Sequence, residues 1–546
     1  MYLCTCSVNM ASEDQEIIFS GRQTDSRRYD QPLWPFLRSR METFGSRVAL
    51  VDPYTEQQIS YKDLIPLAEK LARALMKLGL TQGKPLCIVS RNSVEFALLI
   101  VATHSLGAFV HTPNPLSVPG ELRRQLGLSE ARLVVTTPEF IGNVEEAAKG
   151  LNVDVILVGP RDGHLNFEDL VTLASDDVIL PPPPVDPKTA IASLLFSSGT
   201  TGLPKGVEIT QRNIVAWIHQ FQDYDGSVLT VDDTTLLFLQ LFHAFGQVLI
   251  LSASLASGCR VVIQTKFEID EFLSLVSKYK VTAIYMVPPV AIAIVNHPNL
   301  SSFDLSSVRL MHVGAAPMGK ELEMKLNQLL GNNCVVQGYG MTENMSLTLR
   351  SRRESRPGSC GRLLPNTQCK IIDPVSGKSL GVDRTGELYV RGPQVMLGYI
   401  KDPEATALTI DGDGWMRTGD LARIDSEGFL TIVDRLKELI KYKGEQVPPA
   451  MLEDLLLSHP AVSDACVIGK PDPIAGELPF AYVVPVKGAK VSAQDIKDFV
   501  AKNVPSYMQL RGGVQFRESI PRNPSGKILR RLLRDELTQQ LSKARL

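Results

Sequence analysis

Between residues 61 and 340 the sequence alternates short apolar runs with segments of helical periodicity. Leu64, Ala68, Leu71 and Leu75 recur at helical spacing, and the apolar run at 85–89 follows them as a predicted buried strand. Similar short runs occur at residues 109–111, 133–136, 153–158, 190–196, 235–239, 260–263, 282–286 and 308–313. Continuous apolar strands separated by helices are typical of parallel sheets covered on both faces. The sequence therefore predicts the α/β class.

The pattern changes twice in the second half of the chain. After about Gly381 the strands become shorter and turn residues frequent, which predicts a β-rich subdomain. Beyond Arg435 we predict a compact α+β unit, with helices at residues 449–458, 493–503 and 529–541 and strands near 462–468 and 480–486. A proline-rich connector at 181–187 joins two α/β subdomains. We thus predict a large N-terminal domain, residues 1–434, and a small C-terminal domain, residues 435–546.

Composition and charge exclude several classes of protein. The chain has 57 Lys+Arg and 59 Asp+Glu, so it carries no general field for a nucleic acid or an anionic membrane. Its eight cysteines include no Cys-x-x-Cys pair, which argues against a disulfide framework or a structural zinc and fits a reducing compartment. No apolar run reaches the roughly 18 to 20 residues that span a membrane. We expect small-molecule partners, no nucleic acid and no transmembrane segment.

A glycine-rich segment directly follows the apolar run that ends at Phe196. Its glycines let backbone N–H groups approach an anion, and its hydroxyls and lysine add donors and positive charge. It differs from the Walker sequence, because its lysine is followed by glycine rather than by serine or threonine. A polyphosphate-binding loop is therefore predicted rather than a simple surface turn. Its expected ligands to phosphate are Ser197, Ser198, Gly199, Thr200, Thr201, Gly202 and Lys205.

With this loop the sequence resembles the adenylate-forming enzymes, which include acyl-CoA synthetases, 4-coumarate–CoA ligases and beetle luciferases. The 4-coumarate–CoA ligases are the most similar group. Further motifs of the family follow in the same order, at residues 337–343, 415–420, 434–437 and 523–527. The ordered match extends from about residue 35 to about residue 535. This resemblance implies ligation of a carboxylic acid to CoA through an acyl-adenylate, with ATP, CoA and Mg²⁺ required.

The chemistry of that reaction requires cations. Because a carboxylate must attack a phosphate that is itself anionic, the site has to neutralise charge most strongly in the transition state. By resemblance Lys527 is the adenylation lysine, and Glu343 and Thr342 are the metal ligands. Carboxylate and hydroxyl oxygens suit Mg²⁺, which keeps much of its shell as water and phosphate.

The resemblance also implies a set of nucleotide contacts. Asp420 is expected to bind the ribose, since a carboxylate can accept two hydrogen bonds from a diol. The other expected contacts are Gln337, Gly338, Tyr339, Gly340, Met341, Thr342, Arg435, Lys437 and Lys441.

For the second half-reaction, the resemblance implies that the small domain rotates about a hinge. Lys443 and Gly444 are then expected to contact CoA, with Gln446 beside them. Lys266 is either a further CoA contact or a solvated lysine at the start of a helix. Lys527, His243, Lys441 and Gln446 are the residues expected to act in catalysis.

The predicted acid site contains Gly314, Ala315 and Ala316, as the resemblance implies. His243 is expected to position the carboxylate or to gate the tunnel, because no Ser/Asp pattern supports a nucleophilic triad. Phe245 and Leu249 stand where hydroxycinnamate ligases usually have Tyr and Ser. The loss of both hydroxyls removes partners for a phenol and favours oilier acids. The expected substrate is a fatty, oxylipin-like or phenylpropanoid acid.

Two other functions share the adenylation motifs. A luciferase-like oxygenase would oxidise its adenylate, and a non-catalytic AMP-binding protein would stop at binding. The chain ends in Ala544-Arg545-Leu546, which resembles the address read by the peroxisomal import receptor or is a chance ending of a basic helix. We expect a peroxisomal protein, and otherwise a cytoplasmic one.

Overall fold

A computed structural model describes residues 7–9, 16–159, 163–173, 178–183, 186–197, 203–224, 229–331, 333–351, 354, 356–523 and 526–543. Ser198, Gly199, Thr200, Thr201 and Gly202 of the predicted phosphate loop lie outside these ranges, and so does the C-terminal tripeptide. Within the same ranges, no helix is long and apolar enough to cross a membrane.

One α/β sheet carries the predicted phosphate loop. Its strands, in sheet order, are Gly398–Tyr399, Lys205–Thr210, Ile191–Ser197, Phe109–His111, Pro85–Val89, Leu133–Thr136, Asp154–Leu157 and Leu165–Asn166. The strands from Ile191–Ser197 onwards run parallel, whereas Lys205–Thr210 is antiparallel to both its neighbours. Ser197 and Lys205 are consequently partners across two adjacent strands. The loop between them is anchored at both ends by the sheet.

A second α/β sheet carries the predicted nucleotide contacts at residues 337–342 and the predicted acid site. Its strands, in sheet order, are Arg362–Leu363, Thr348–Leu349, Val335–Tyr339, Leu310–Val313, Ala283–Met286, Thr234–Leu237, Arg260–Ile263, Val48–Val51 and Gln58–Ser60. The strands from Val335–Tyr339 to Val48–Val51 run parallel. The carboxyl ends of Leu310–Val313 and Val335–Tyr339 therefore lie side by side. In open parallel sheets this edge is where ligands bind.

The two α/β sheets share one large apolar core, in which Trp217, Tyr61 and Phe272 are fully buried. Most helices that pack on them present a buried stripe, whereas Val94–Ser105 and Ala253–Ser257 are buried on nearly all sides. These helices are Leu33–Glu42, Tyr61–Lys77, Val94–Ser105, Pro119–Ser129, Ile141–Ala148, Phe167–Leu173, Gln211–Asp223, Ala253–Ser257, Ile269–Tyr279, Pro288–Val295 and Lys320–Leu330. A π-helical segment, Phe245–Ser252, leads into Ala253–Ser257.

The β-rich subdomain is an antiparallel sheet with its own apolar core around Phe19, Leu388 and Met416. Its strands are Ser7–Asn9, Ile18–Ser20, Gln368–Ile372, Gly386–Arg391, Met416–Ile424 and Leu430–Arg435, with Ser379–Leu380 paired to Gln368–Ile372. The sequence placed the start of this unit near Gly381. The structure starts it earlier and adds strands from the N-terminus, because such pairing between distant segments leaves no local pattern. The short helix Pro403–Thr409 lies between its strands in the chain.

The small domain is an α+β unit, as predicted. Its strands are Ile440–Tyr442, Glu445–Val447, Val462–Asp472, Gly476–Pro485 and Gly513–Phe516, and its helices are Pro449–Leu457, Ala493–Asn503 and Arg530–Lys543. The last strand of the large domain ends at Arg435, so the connection between the domains falls at residues 436–439. The predicted α/β fold with a large N-terminal and a small C-terminal domain is confirmed.

Candidate active site

Glu343, the predicted metal ligand, is buried and held from two sides. The hydroxyl of Ser197 donates a 2.8 Å hydrogen bond to its Oε1, and the hydroxyl of Tyr399 donates a 3.1 Å bond to the same atom. The Nζ atom of Lys205 lies 4.9 Å from the centre of the Tyr399 ring. The strand pair that anchors the phosphate loop therefore also positions a carboxylate and an ammonium beside it.

This arrangement suits a metal that is shared with a phosphate. Among the residues that the structure describes, no group of three His, Cys, Asp or Glu side chains could hold a metal ion alone. Glu343 supplies one hard oxygen, and half-buried Thr342 lies next to it in the chain. Mg²⁺ commonly binds through one or two carboxylates with water and substrate phosphates completing its shell. The donor set is compatible with Mg²⁺ held in this way.

Asp420 is buried beside two other predicted nucleotide contacts, Tyr339 and Arg435. These three residues form a junction. The hydroxyl of Tyr339 donates a 2.6 Å hydrogen bond to Oδ2 of Asp420, and Nε of Arg435 lies 3.3 Å from its Oδ1. Burial raises the pKa of Asp420, and the charge of Arg435 opposes that shift. A carboxylate fixed by a phenol and a guanidinium is suitable for accepting hydrogen bonds from a diol.

The segment from Gln337 to Met341 approaches its neighbours closely. A Cβ on Gly338 would lie 2.5 Å from Nε2 of His312, and one on Gly340 would lie 1.9 Å from the carbonyl oxygen of Met345, so both positions require glycine. The Gln337 side chain bonds Glu323 and the backbone of Met318 within the fold. The side chain of Gln337 is therefore occupied within the fold, and its nucleotide contact stays a prediction.

Lys527 comes from the small domain to this junction. Burial and the nearby Arg435 lower the pKa of its ammonium group to about 8, while Asp420 opposes the shift. Its loop packs on the large domain, where a Cβ on Gly526 would lie 3.0 Å from the side chain of Val287. Gly526 also has a φ of +80°, which favours glycine. The structure thus brings Lys527, Arg435 and Asp420 together.

The residues predicted to contact CoA do not lie at the junction with Asp420. Lys443 and Gly444 form the two-residue turn between the strands Ile440–Tyr442 and Glu445–Val447, with φ values of 48° and 86°. Two positive φ values are typical of a type I′ hairpin turn. The side chains of the predicted residues here are exposed to solvent: Lys441, Lys443 and Gln446.

Two other predicted lysines are also separate from the junction. Lys437, in the connection between the domains, is exposed. Lys266 is exposed and lies 3.1 Å from Glu268 in an ion pair. The structure does not bring either side chain to Asp420, and their nucleotide and CoA roles stay predictions.

His243 is neutral and has a defined tautomer. Burial lowers its pKa to about 4. Its Nδ1 accepts a 3.2 Å hydrogen bond from the backbone N–H of Phe245, so the ring proton lies on Nε2. An imidazole in this state can donate a hydrogen bond to a carboxylate.

The acid-site residues meet at the end of the strand Leu310–Val313. A Cβ on Gly314 would lie 3.3 Å from the Phe245 ring, and Ala315 has a φ of 67°. Ala315 is exposed and Ala316 half-buried, whereas Phe245 and Leu249 are buried on the π-helical segment. These residues form an apolar wall beside His243.

Sequence reasoning missed Tyr285 and His312, whose rings lie near that of Phe245, and Tyr399, which bonds Glu343. Tyr285 and His312 are partners on adjacent strands, and their rings lie 6.4 Å and 6.1 Å from the Phe245 ring. Burial lowers the pKa of His312 to about 4, so it is neutral. Strand alternation could have placed Tyr285 and His312 on one face, but no local signal identified Tyr399.

Comparisons with known proteins agree with these motifs. A family model described as AMP-binding enzyme matches residues 37–400, and one described as AMP-binding enzyme C-terminal domain matches residues 451–527. The chain is 40% identical to 4-coumarate–CoA ligase CCL1 of Humulus lupulus, over 96% of this chain and 98% of that protein. It is also 40% identical to 4-coumarate–CoA ligase 3 of Oryza sativa subsp. japonica, over 91% of each chain.

Solved structures give the same result. The crystal structure of ATP-bound MatB from Rhodopseudomonas palustris matches with a TM-score of 0.84 and 27% identity, over 92% of this chain and 98% of that one. The anthranilate CoA ligase AuaEII in complex with anthranoyl-AMP has the same fold, with a TM-score of 0.88 and 24% identity over 95% of this chain and 100% of that one. The chain therefore belongs to the AMP-binding enzymes, the adenylate-forming family that its motifs resemble.

Proposed function

We propose that this chain is an AMP-forming acid–thiol ligase that activates a carboxylic acid with ATP and transfers the acyl group to CoA. The observation that carries this proposal is the meeting of Lys527 from the small domain with Asp420 and Arg435. Relatives named 4-coumarate–CoA ligase support the same overall reaction.

In the first step, a carboxylate oxygen of the acid bonds to the α-phosphorus of ATP, and the bond to the pyrophosphate oxygen breaks. Protonated Lys527 and Lys205 offset the negative charge that would otherwise keep the two anions apart. The Nε2–H of His243 orients the carboxylate, and Asp420 holds the ribose. Glu343 and Thr342 would hold Mg²⁺, which neutralises phosphate charge when it is bound.

In the second step, the sulfur of CoA bonds to the acyl carbon, the thiol proton passes to water, and AMP leaves with the bonding pair of the acyl–oxygen bond. Lys443 and Gly444 are exposed while Lys527 occupies the junction, so one orientation of the small domain does not serve both steps. A rotation about residues 436–439 would exchange the two faces. Gln446 and Lys441 lie on the same hairpin as Lys443.

The substrate acid that fits these walls is mainly apolar. Phe245 and Leu249 offer no hydroxyl, which disfavours a phenol beside them. The hydroxyl of Tyr285 is buried without a hydrogen bond to any described residue, and a substrate oxygen would satisfy it. We propose an oxylipin-like or phenylpropanoid acid, with a hydrophobic body and an oxygen function away from the carboxylate, ahead of a plain fatty acid.

The test is an acid panel that measures carboxylate-dependent ATP–pyrophosphate exchange and acyl-CoA formation in the same reactions. Matched pairs would include cinnamate with 4-coumarate, and decanoate with hydroxydecanoates. We expect exchange and thioester formation with at least one acid, and a lower preference for oxygenated acids in Tyr285→Phe. No pyrophosphate exchange with any acid would reject adenylation, and exchange without any thioester would leave adenylation standing but reject transfer to CoA.

Its proposed location is the peroxisome, through recognition of Ala544-Arg545-Leu546 by the import receptor. The experiment is a fluorescent protein fused to the N-terminus of the full chain, with and without these residues. Peroxisomal signal that the deletion abolishes would support the proposal. Equal distribution of both fusions in the cytoplasm would reject it.

A further inference from the structure

Tyr399 stands between the predicted metal ligand and the lysine of the phosphate loop. Its hydroxyl bonds Oε1 of Glu343, and its ring face receives the ammonium of Lys205 at 4.9 Å. We infer that Tyr399 is a positioning residue for the metal–polyphosphate part of the site, acting through these two side chains. The inference rests on the proposed function, because it assigns Tyr399 to the same ATP site.

The backbone around Tyr399 fixes this position. Tyr399 pairs with Val207 in the strand that begins at Lys205, so it sits at the edge of the phosphate-loop sheet. Its backbone N–H donates a 2.9 Å hydrogen bond to Oγ1 of Thr406, in the middle of the short helix Pro403–Thr409. A Cβ on Gly398 would lie 2.9 Å from the Thr406 side chain, so this residue pair packs tightly. The ring is thus placed by strand pairing and by the helix together.

The bond to Glu343 falls on the same carboxylate oxygen that Ser197 bonds. Ser197 and Tyr399 both donate to Oε1, and no described residue donates to Oε2. Two donors on one oxygen fix the carboxylate plane, which leaves Oε2 for a metal or its water. Without the hydroxyl of Tyr399, Ser197 alone would hold a side chain that can rotate about its remaining bonds.

The contact with Lys205 holds a cation at the site before ATP arrives. An ammonium over a tyrosine ring gains a modest attraction, much weaker than its attraction to a triphosphate. Lys205 is therefore kept near the loop and released to the phosphates when they bind. The ring and the hydroxyl act on different partners, so substitutions can separate them.

The experiment compares Tyr399→Phe, which keeps the ring, with Tyr399→Leu, which removes ring and hydroxyl. ATP binding to the full chain is measured by calorimetry with Mg²⁺ and with EDTA. In Tyr399→Phe we expect the ratio of ATP affinity with Mg²⁺ to ATP affinity in EDTA to be about fivefold lower than in the unsubstituted protein. The affinity in EDTA itself should stay the same. In Tyr399→Leu we expect weaker ATP binding in EDTA as well, because Lys205 loses its support.

Controls separate this inference from the proposed function. Tyr389→Phe removes a hydroxyl from a half-buried tyrosine in the β-rich subdomain and should leave both affinities unchanged. If Glu343→Gln keeps the full effect of Mg²⁺, the proposed metal site is wrong. If Glu343→Gln loses that effect while Tyr399→Phe keeps it, the role of Tyr399 is overturned and the metal site stands. Melting temperatures of all variants identify any loss of folding, and a folded Tyr399→Leu with unchanged EDTA affinity would contradict the support of Lys205.

Discussion

Arg435 lies opposite Asp420 in adjacent antiparallel strands, with its Nε 3.3 Å from Oδ1 of the carboxylate. Arg435 is the last residue of its strand, directly before the connection to the small domain. Lys527, near the far end of that domain, lies close enough for its charge to interact with that carboxylate. Asp420 therefore lies where the predicted nucleotide site meets the small domain.

Asp420→Asn is expected to raise the KM for ATP in pyrophosphate exchange by at least about tenfold. A hydrogen bond to a charged group is worth about 1.5–3 kcal/mol, and the amide also ceases to balance Arg435. Asp425→Asn is the matched control, since Asp425 caps an exposed turn at the end of the same strand. An equal KM for Asp420→Asn and the unsubstituted protein would remove Asp420 from the nucleotide site.

The ionisation of Lys527 predicts a pH limit for adenylation. Burial and Arg435 disfavour the ammonium, so its pKa lies near 8, and the lysine is cationic below that pH and neutral above it. We expect kcat/KM for ATP in pyrophosphate exchange to fall as the pH rises through about 8, because kcat/KM for ATP reports ionisations of the enzyme before ATP binds. Lys527→Arg should move this decline to higher pH, since a guanidinium stays charged. A profile that Lys527→Arg leaves unshifted would assign the decline to another group.

Lys527 is expected to act in adenylation and Lys443 in thioester formation, which gives a further prediction. Lys527→Ala should slow adenylation by about 100-fold or more, yet affect thioester formation from supplied acyl-adenylate much less. Lys443→Asn should do the reverse, and asparagine keeps the positive φ that this turn needs. Both half-reactions are measured separately by pyrophosphate exchange and by acyl-CoA release. Equal losses in both steps for either variant would contradict the exchange of faces.

Much of the fold was predictable because its strands are short, apolar and buried on both faces. The runs at 85–89, 109–111 and 260–263 coincide with observed strands, since continuous burial leaves a continuous apolar signal. The strand Ile18–Ser20 escaped prediction because its partner Gln368–Ile372 lies far along the chain, and Ser7–Asn9 joins the sheet through Ile18–Ser20. Pairing of this kind depends on the assembled sheet rather than on neighbouring residues.

The candidate site also contains residues that the sequence identified and residues that it did not. Lys205, Glu343, Asp420 and Lys527 were identified from ordered motifs, and the structure gathers Asp420 and Lys527 from separate domains. Tyr399 could not be identified, because its role depends on the pairing of its strand with the one that begins at Lys205. Motifs thus reveal the reacting groups, whereas the residues that orient them become visible only through long-range contacts.

Phe245 and Leu249 give a prediction about selectivity between acids. The double variant Phe245→Tyr with Leu249→Ser adds two hydroxyls to the apolar wall on the π-helical segment. We expect its kcat/KM ratio for 4-coumarate over cinnamate to rise about tenfold, because a buried phenol without a partner costs about 1–3 kcal/mol. These two acids differ only in the phenolic hydroxyl, so each serves as the control for the other. A ratio that stays unchanged would show that the substrate tail does not lie against this wall, and would direct attention to Tyr285 and His312.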